Sequence, residues 1–399
     1  MPQKKTLTML CFFDASKEGY PGAAYSYTDE LMDAVVRFNN TDPEFRVEIK
    51  TKTFENDAER DRLLIELATS DGIDLIDTSL LPENAIGSEM FVDMLPYIDA
   101  DGELDRGDFI QPLLKAMMRN GALYEYTDKF TLLTLLTQQG IFTGRAAWTT
   151  EYIQALVDGR ADLDCISRER MSEGFILAAT AEFIDRDTMT CSFDSAAFQN
   201  WLRFLNAQPE VIERYENQIV FHISTDLAGD AGFWARVMMD GEYAVAGFPD
   251  TEGTGSYFMK LNGVFGTDAP TLGCNTRVGI LASGENHDGA WRFVRTLMTG
   301  ERDASLTMGI SVLKERFEKT LEAAVAAQPA DSSMDGFNER DAQILREQVY
   351  NSQKLVSEDE NLRAIIRSEA AAYFAGQRSV EEAAANIQNR VSLYLAEQT

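Results

Sequence analysis

The opening of the chain alternates between strand and helix periodicity, and this order limits what it can fold into more than any other feature. Thr6 to Phe13 (TLTMLCFF) is an apolar run of strand length. Tyr27 to Phe38 then carries Leu31, Met32, Val35 and Val36 at helical spacing behind a Thr28 cap. Phe45 to Thr53 (FRVEIKTKT) alternates like a half-covered strand. Asn56 with Glu59 predicts a capping box opening a helix through Leu63, Leu64, Leu67 and Ala68. Asp74 to Asp77 lies in a third short strand that ends in Thr78 and Ser79. Such βαβαβ order implies a mainly parallel sheet covered by helices.

At 399 residues the chain is longer than a single core usually supports, so two lobes are expected. Asp and Glu outnumber Lys and Arg 65 to 36, and the net charge of -29 repels phosphate backbones and anionic lipid. Nucleic acid is therefore excluded as a partner class, and the acidity reads as a solvated surface. Cys11, Cys165, Cys191 and Cys274 form no C-x-x-C pair and have no histidine close in sequence, which argues against a zinc site and a dense disulfide framework. Spacing leaves a Cys165 to Cys191 pairing open. The longest uncharged stretch, Phe130 to Gly144, is broken by Thr and Gln residues and is too short to span a bilayer as a helix.

Motifs for catalysis are missing. The sequence has no G-x-S-x-G elbow, no H-E-x-x-H helix and no phosphate loop. Its two histidines, His222 and His287, read as structural or superficial. Asp99, Asp101, Glu103, Asp105 and Asp108 resemble a calcium loop in charge alone. Leu104 stands where an EF-hand needs glycine and Ile110 where it needs an acid, so a solvated acidic loop is expected. Gly253-Thr254-Gly255 reads as a tight turn. No metal and no cofactor is expected.

Further along, Pro112 to Arg119 reads as helix and Asn120-Gly121 as a turn leading into a strand through Leu123 and Tyr124. Glu151 to Asp158, Ser195 to Asn206 and Gly232 to Asp240 have helical patterns. Glu242 to Phe248 reads as a strand before the loop Pro249 to Ser256. Arg277 to Ala282 predicts a strand and Asp288 to Met298 a helix. From Lys314 the pattern is almost wholly helical. Gly376 is placed for a helix stop, and Ser379 with Glu382 forms a capping box. Behind that box Val380, Ala383, Ala384, Ile387, Val391, Tyr394 and Leu395 make one apolar stripe. Aromatic residues at strand ends (Phe12, Phe13, Tyr124, Tyr126) and around the later loop (Trp234, Tyr257) offer flat faces beside carboxylates. That combination suits the C–H face and the hydroxyls of a sugar.

In this order the segments resemble extracellular solute-binding proteins of family 1, the sugar-binding components of bacterial ABC importers. Phe38 to Val47 (FNNTDPEFRV) is similar to the family's F-x-x-x-x-P-x-x-x-V element, and Leu67 to Ile76 (LATSDGIDLI) to its L-A-x-G-x-x-P-D-V-I element. Asn120 to Tyr124 (NGALY) is similar to the D-G-K-L-Y crossing. Gly241 to Pro249, Gly279 to Ser283 and Gly289 to Leu297 resemble the late strand, second crossing and following helix. Ala372 to Glu397 resembles the closing helices of lipid-anchored members from Gram-positive bacteria. Ile73 stands where many members have proline, and Asn120 where aspartate is usual.

The resemblance implies an α/β, two-lobed periplasmic-binding-protein-like (type II) fold with discontinuous lobes and a helical C-terminus. Residues 1–125 and 268–312 would form one lobe, and 126–267 with 313–399 the other. A small polar solute, a mono- or oligosaccharide, would bind between the lobes at strand C-terminal ends, with hinge closure and no bond chemistry. Phe13, Tyr126 and Trp234 are expected to stack on it, and Asp14, Thr78, Ser79, Asp128, Asp250 and Glu252 to hydrogen-bond it. ABC permease subunits in the membrane are the expected protein partner of a monomer. Its expected place is the extracellular face of the cell membrane, lipid-anchored after export by a targeting segment outside this sequence. A secreted carbohydrate-active enzyme using two carboxylates, and a solute sensor for a membrane receptor, stay open as alternatives.

Overall fold

The computed structural model describes residues 3–15, 29–67, 72–79, 81, 85–127, 129–133, 155, 168–210, 271–274, 277–300, 310–326, 339–351, 354–357 and 359–396. In chain order these form β1 (Lys5–Asp14), α1 (Asp29–Thr41), β2 (Phe45–Phe54), α2 (Asp57–Leu67), β3 (Leu75–Asp77), α3 (Leu95–Ala100) and α4 (Gln111–Met117). Next come β4 (Glu125–Tyr126), β5 (Lys129–Leu133), α5 (Arg168–Glu182), β6 (Ile184–Asp185), β7 (Thr190–Cys191), α6 (Ala196–Ala207), β8 (Thr271–Cys274) and β9 (Val278–Ile280). The chain closes with α7 (His287–Thr299), β10 (Ile310–Ser311), α8 (Lys314–Ala326), α9 (Glu339–Asn351), β11 (Lys354–Leu355), α10 (Glu360–Phe374) and α11 (Val380–Ala396). The Thr28 cap, Ala68 and the segments Gly232 to Asp240, Glu242 to Phe248 and Pro249 to Ser256 lie outside the described residues, and the Glu151 to Asp158 segment is described only at Ala155.

The chain divides into two compact units, Met1–Phe109 with Met117–Lys129 and Cys274–Asp303, and Ile110–Ala116 with Phe130–Gly273 and Ala304–Thr399. In the first, the sheet order is β2-β1-β3-β9-β4. Strand β1 pairs in parallel with both β2 and β3, as the βαβαβ order requires, and β9 enters antiparallel between β3 and β4. The sheet is therefore mixed, with β9 alone reversed. Leu7, Met9, Cys11 and Phe12 of β1 are fully buried, which explains why this strand shows no alternation in sequence. Leu10, Phe12, Phe54, Leu63, Leu67, Ile76, Phe91 and Leu281 share one core cluster.

Local signals set the element ends. Asn56 Oδ1 accepts from the Glu59 amide at 3.1 Å, while Glu59 Oε2 reaches back to the amide of Glu55 at 2.9 Å, one residue beyond the expected partner Asn56. Asn120 and Gly121 both have positive φ (50° and 82°), the two left-handed residues of a tight hairpin turn between Arg119 and Ala122. The acidic stretch is engaged with arginines and caps. Asp99 pairs with Arg106, Asp101 and Glu103 with Arg295, and Asp105 with Asp108 caps a 3-10 turn.

The second unit holds a four-stranded sheet in the order β10-β5-β8-β11 and a two-stranded β6-β7 ribbon. Its closing helices follow the sequence closely. Gly376, at φ 69°, ends α10 with its amide on the carbonyl of Tyr373 at 2.9 Å. Ser379 and Glu382 exchange reciprocal bonds of 2.8 and 3.1 Å to start α11. Val380, Ala384, Ile387, Val391 and Leu395 are buried together with Phe193, Phe198, Leu202, Leu362 and Ile366, and Ala383 is buried as well. Each of the larger aliphatic side chains there contributes about 1.5–3 kcal/mol of transfer free energy. Gln388 fixes the docking. Its Oε1 accepts from the Phe193 amide at 2.6 Å, and its Nε2 donates to the Cys191 carbonyl at 2.9 Å. Cys191 is a free thiol, 3.2 Å from Ser392 Oγ, and Cys165 lies outside the described residues. Among the described residues no helix is long and apolar enough to cross a membrane.

Candidate functional site

Strand directions place the candidate residues of the first unit at one edge. β1 and β3 are parallel, and β4 runs with them because both pair antiparallel to β9. The register aligns Asp77 with Val278 and Val278 with Tyr126, so the ends of β3 and β4 are level and the start of β9 lies between them. Phe13 and Asp14 end β1, opposite Thr53 and Phe54 of β2. The C-terminal edge of the sheet thus gathers Phe13, Asp14, Asp77, Thr78, Ser79, Glu125, Tyr126 and Arg277. Ligands on open α/β sheets bind at this kind of edge, where strand ends leave backbone and loop groups outside the packed layers.

Exposure separates these residues by role. Phe13, Asp14 and Ser79 are half-buried. The Ser79 amide and hydroxyl both donate to Asp77 Oδ1, at 2.9 and 2.6 Å, which aims the lone pairs of the hydroxyl away from Asp77. Thr78 and Tyr126 are buried. Thr78 is 1% exposed and gives its hydroxyl hydrogen to Glu125 Oε2 at 2.7 Å. Tyr126 is 2% exposed. Phe12, its ring fully buried, belongs to the core. Asp128, Trp234, Asp250 and Glu252 lie outside the described residues, as does Tyr257.

Sequence reasoning passed over the charges beneath this edge. Glu125 is 2% exposed, and Oε1 takes Arg119 at 3.2 Å and Arg277 at 3.5 Å. Both guanidiniums are buried as well, and the Thr78 amide donates to the Arg277 carbonyl at 2.8 Å. A charge set between two tyrosines in a strand, as Glu125 is between Tyr124 and Tyr126, was the available signal, because an ion in an apolar period must meet a partner. Nearby, burial and then the Asp77 carboxylate push the Cys11 thiol far up, which keeps it protonated and a poor nucleophile. The half-buried set can form hydrogen bonds to hydroxyls and lay one aromatic face against carbon.

No family model and no curated protein matches the sequence. Solved structures do match along the whole chain. The ABC substrate-binding protein Lmo0181 from Listeria monocytogenes, in complex with cycloalternan, is 16% identical with a TM-score of 0.59 over 99% of this chain and 100% of that one. The sugar-binding protein MalE from Xanthomonas citri is 15% identical with a TM-score of 0.61 over 98% of each chain. The cyclic alpha-maltosyl-1,6-maltose binding protein from Arthrobacter globiformis is 14% identical with a TM-score of 0.60, over 99% of this chain and 100% of its own. The chain accordingly has the two-lobed α/β fold of the periplasmic-binding proteins.

Proposed function

We propose that this protein is the substrate-binding component of an ABC importer and captures a small polar solute, a mono- or oligosaccharide, without chemical change. The observation that carries this reading is the fold likeness over nearly the full chain to proteins described as binding cycloalternan and cyclic alpha-maltosyl-1,6-maltose. The gathering of Phe13, Asp14 and Ser79 at the C-terminal edge of the first sheet supports it, since one aromatic face beside oxygen acceptors suits a sugar.

Phe13 is assigned to stacking, and Asp14 and Ser79 to hydrogen bonds with hydroxyls. Trp234, Asp128, Asp250 and Glu252 are assigned to the same solute from sequence position and family resemblance. Capture shifts a population of open and closed forms, and the closed form is what permease subunits recognise. A lipid-anchored, monomeric protein on the extracellular face of the membrane fits this role.

A thermal-shift screen against mono- and oligosaccharides tests the reading. A sugar at 100 times its dissociation constant should stabilise the protein by about 2.7 kcal/mol and be recovered intact. Recovery of cleaved sugar would overturn it, and unchanged affinity for the identified sugar in both Asp14→Ala and Trp234→Ala would overturn the residue assignment.

A further inference from the structure

The buried ions beneath the candidate site lie close in sequence to three of the places where the chain changes unit. The chain starts in the first unit and changes unit five times; at three of these changes it re-enters the first unit between Ala116 and Met117, leaves it between Lys129 and Phe130, and returns between Gly273 and Cys274. Arg119 stands just inside the first of these three crossings, Glu125 just ahead of the second and Arg277 just inside the third. All three meet at one carboxylate, with Oε1 of Glu125 facing Arg119 at 3.2 Å and Arg277 at 3.5 Å. Its other oxygen accepts from Thr78 at 2.7 Å. Thr78 also holds Arg277 through the backbone at 2.8 Å and precedes Ser79, whose amide and hydroxyl rest on Asp77.

A charge with side-chain exposure of only 2% to 6% is costly to keep unless it is bonded, and apolar residues could fill the same volume. What an ionic cluster adds is direction, because each guanidinium must lie on the carboxylate in a set geometry. We propose that Arg119, Glu125 and Arg277 anchor the roots of these three of the five crossings in the first unit, and that Glu125 is the positioning residue through which the Thr78–Ser79 turn is coupled to them. The link to solute capture rests on the function proposed above; the anchoring does not. When a solute draws on Ser79, the turn and the crossing roots respond as one body.

Hydrogen exchange in the solute-free protein, followed by mass spectrometry, tests this. Glu125→Gln should speed exchange about tenfold in residues 117–126 and 277–281, with 380–396 unchanged. Glu125→Asp, which keeps the charge, should restore most of the protection. Thr78→Val should speed the same two segments although Thr78 lies in neither. If E125Q does not fold, E125D and T78V still decide the matter. Uniform acceleration that includes 380–396 would reduce Glu125 to a stabilising residue and overturn the proposal. Unchanged crossing roots, or a T78V effect confined to residues 77–79, would overturn it as well. Maltose and maltotriose added to the wild type serve as solute probes. Their failure to bind, together with the expected exchange pattern, would count against sugar capture and leave the anchor standing.

Discussion

The hydroxyl of Tyr394 donates to Oδ2 of Asp359 at 2.9 Å, joining the closing helix α11 to the N-cap of α10. The same carboxylate accepts from the amides of Asn361 at 3.0 Å and Leu362 at 3.4 Å, so one side chain serves both the helix start and the docking of its neighbour. Tyr394→Phe keeps the ring and removes the bond. It should cost about 1–2 kcal/mol, and Asp359→Ala should cost more because the cap is lost too. Scanning calorimetry reads this as a fall of about 2–6 °C in the transition of the second unit.

Gly279 has no room for a side chain. A Cβ there would lie 2.5 Å from the Phe91 ring and 3.1 Å from the Tyr124 carbonyl, in the strand that joins β3 to β4. Gly279→Ala should destabilise the first unit by about 1–3 kcal/mol through overpacking. Adding Phe91→Leu should recover part of the loss, and urea titration of the single and double variants gives the coupling.

Acid should weaken the first unit through Asp101. Its hydrogen bonds with Arg295, at 2.5 and 3.1 Å, hold the carboxyl below the usual range, opposed by burial and helped by the Glu103 and Leu104 amides. A carboxyl depressed on folding adds stability above its unfolded value of about 3.9, and that stability is lost as pH falls through the folded value. The slope of stability against pH should therefore steepen below about pH 4 in the wild type and flatten there in Arg295→Met.

Thiol labelling should rank the two described free cysteines. Burial, then Asp77, pushes the Cys11 thiol up, and burial raises that of Cys191 against bonds from Ser392 and Gln388. At pH 8 the Cys11 peptide should resist iodoacetamide until urea is added, whereas half-buried Cys191 should label slowly in the native state. A rapidly modified Cys11 in folded protein would show that β1 is not covered as described.

The local code of this chain was readable because its causes are local. A period of two or of 3.6 marks which face is covered, and the boxes at Asn56 and Ser379 and the stop at Gly376 act across one helical turn. The stripe from Val380 to Leu395 therefore announced a buried helix, and Thr6 to Phe13 a buried strand, before any partner was known.

The tertiary structure decided what depends on partners distant in sequence. Nothing near Glu125 announces Arg277, 152 positions away, and nothing near Thr78 shows that its hydroxyl donates to Glu125. For Tyr126 the sequence gives its type and not its burial. The passage of Ile110–Ala116 into the second unit has no signature either. Periodicity records how much of a side chain is covered, whereas pairing and unit membership are fixed by which segments the folded chain brings to the same place.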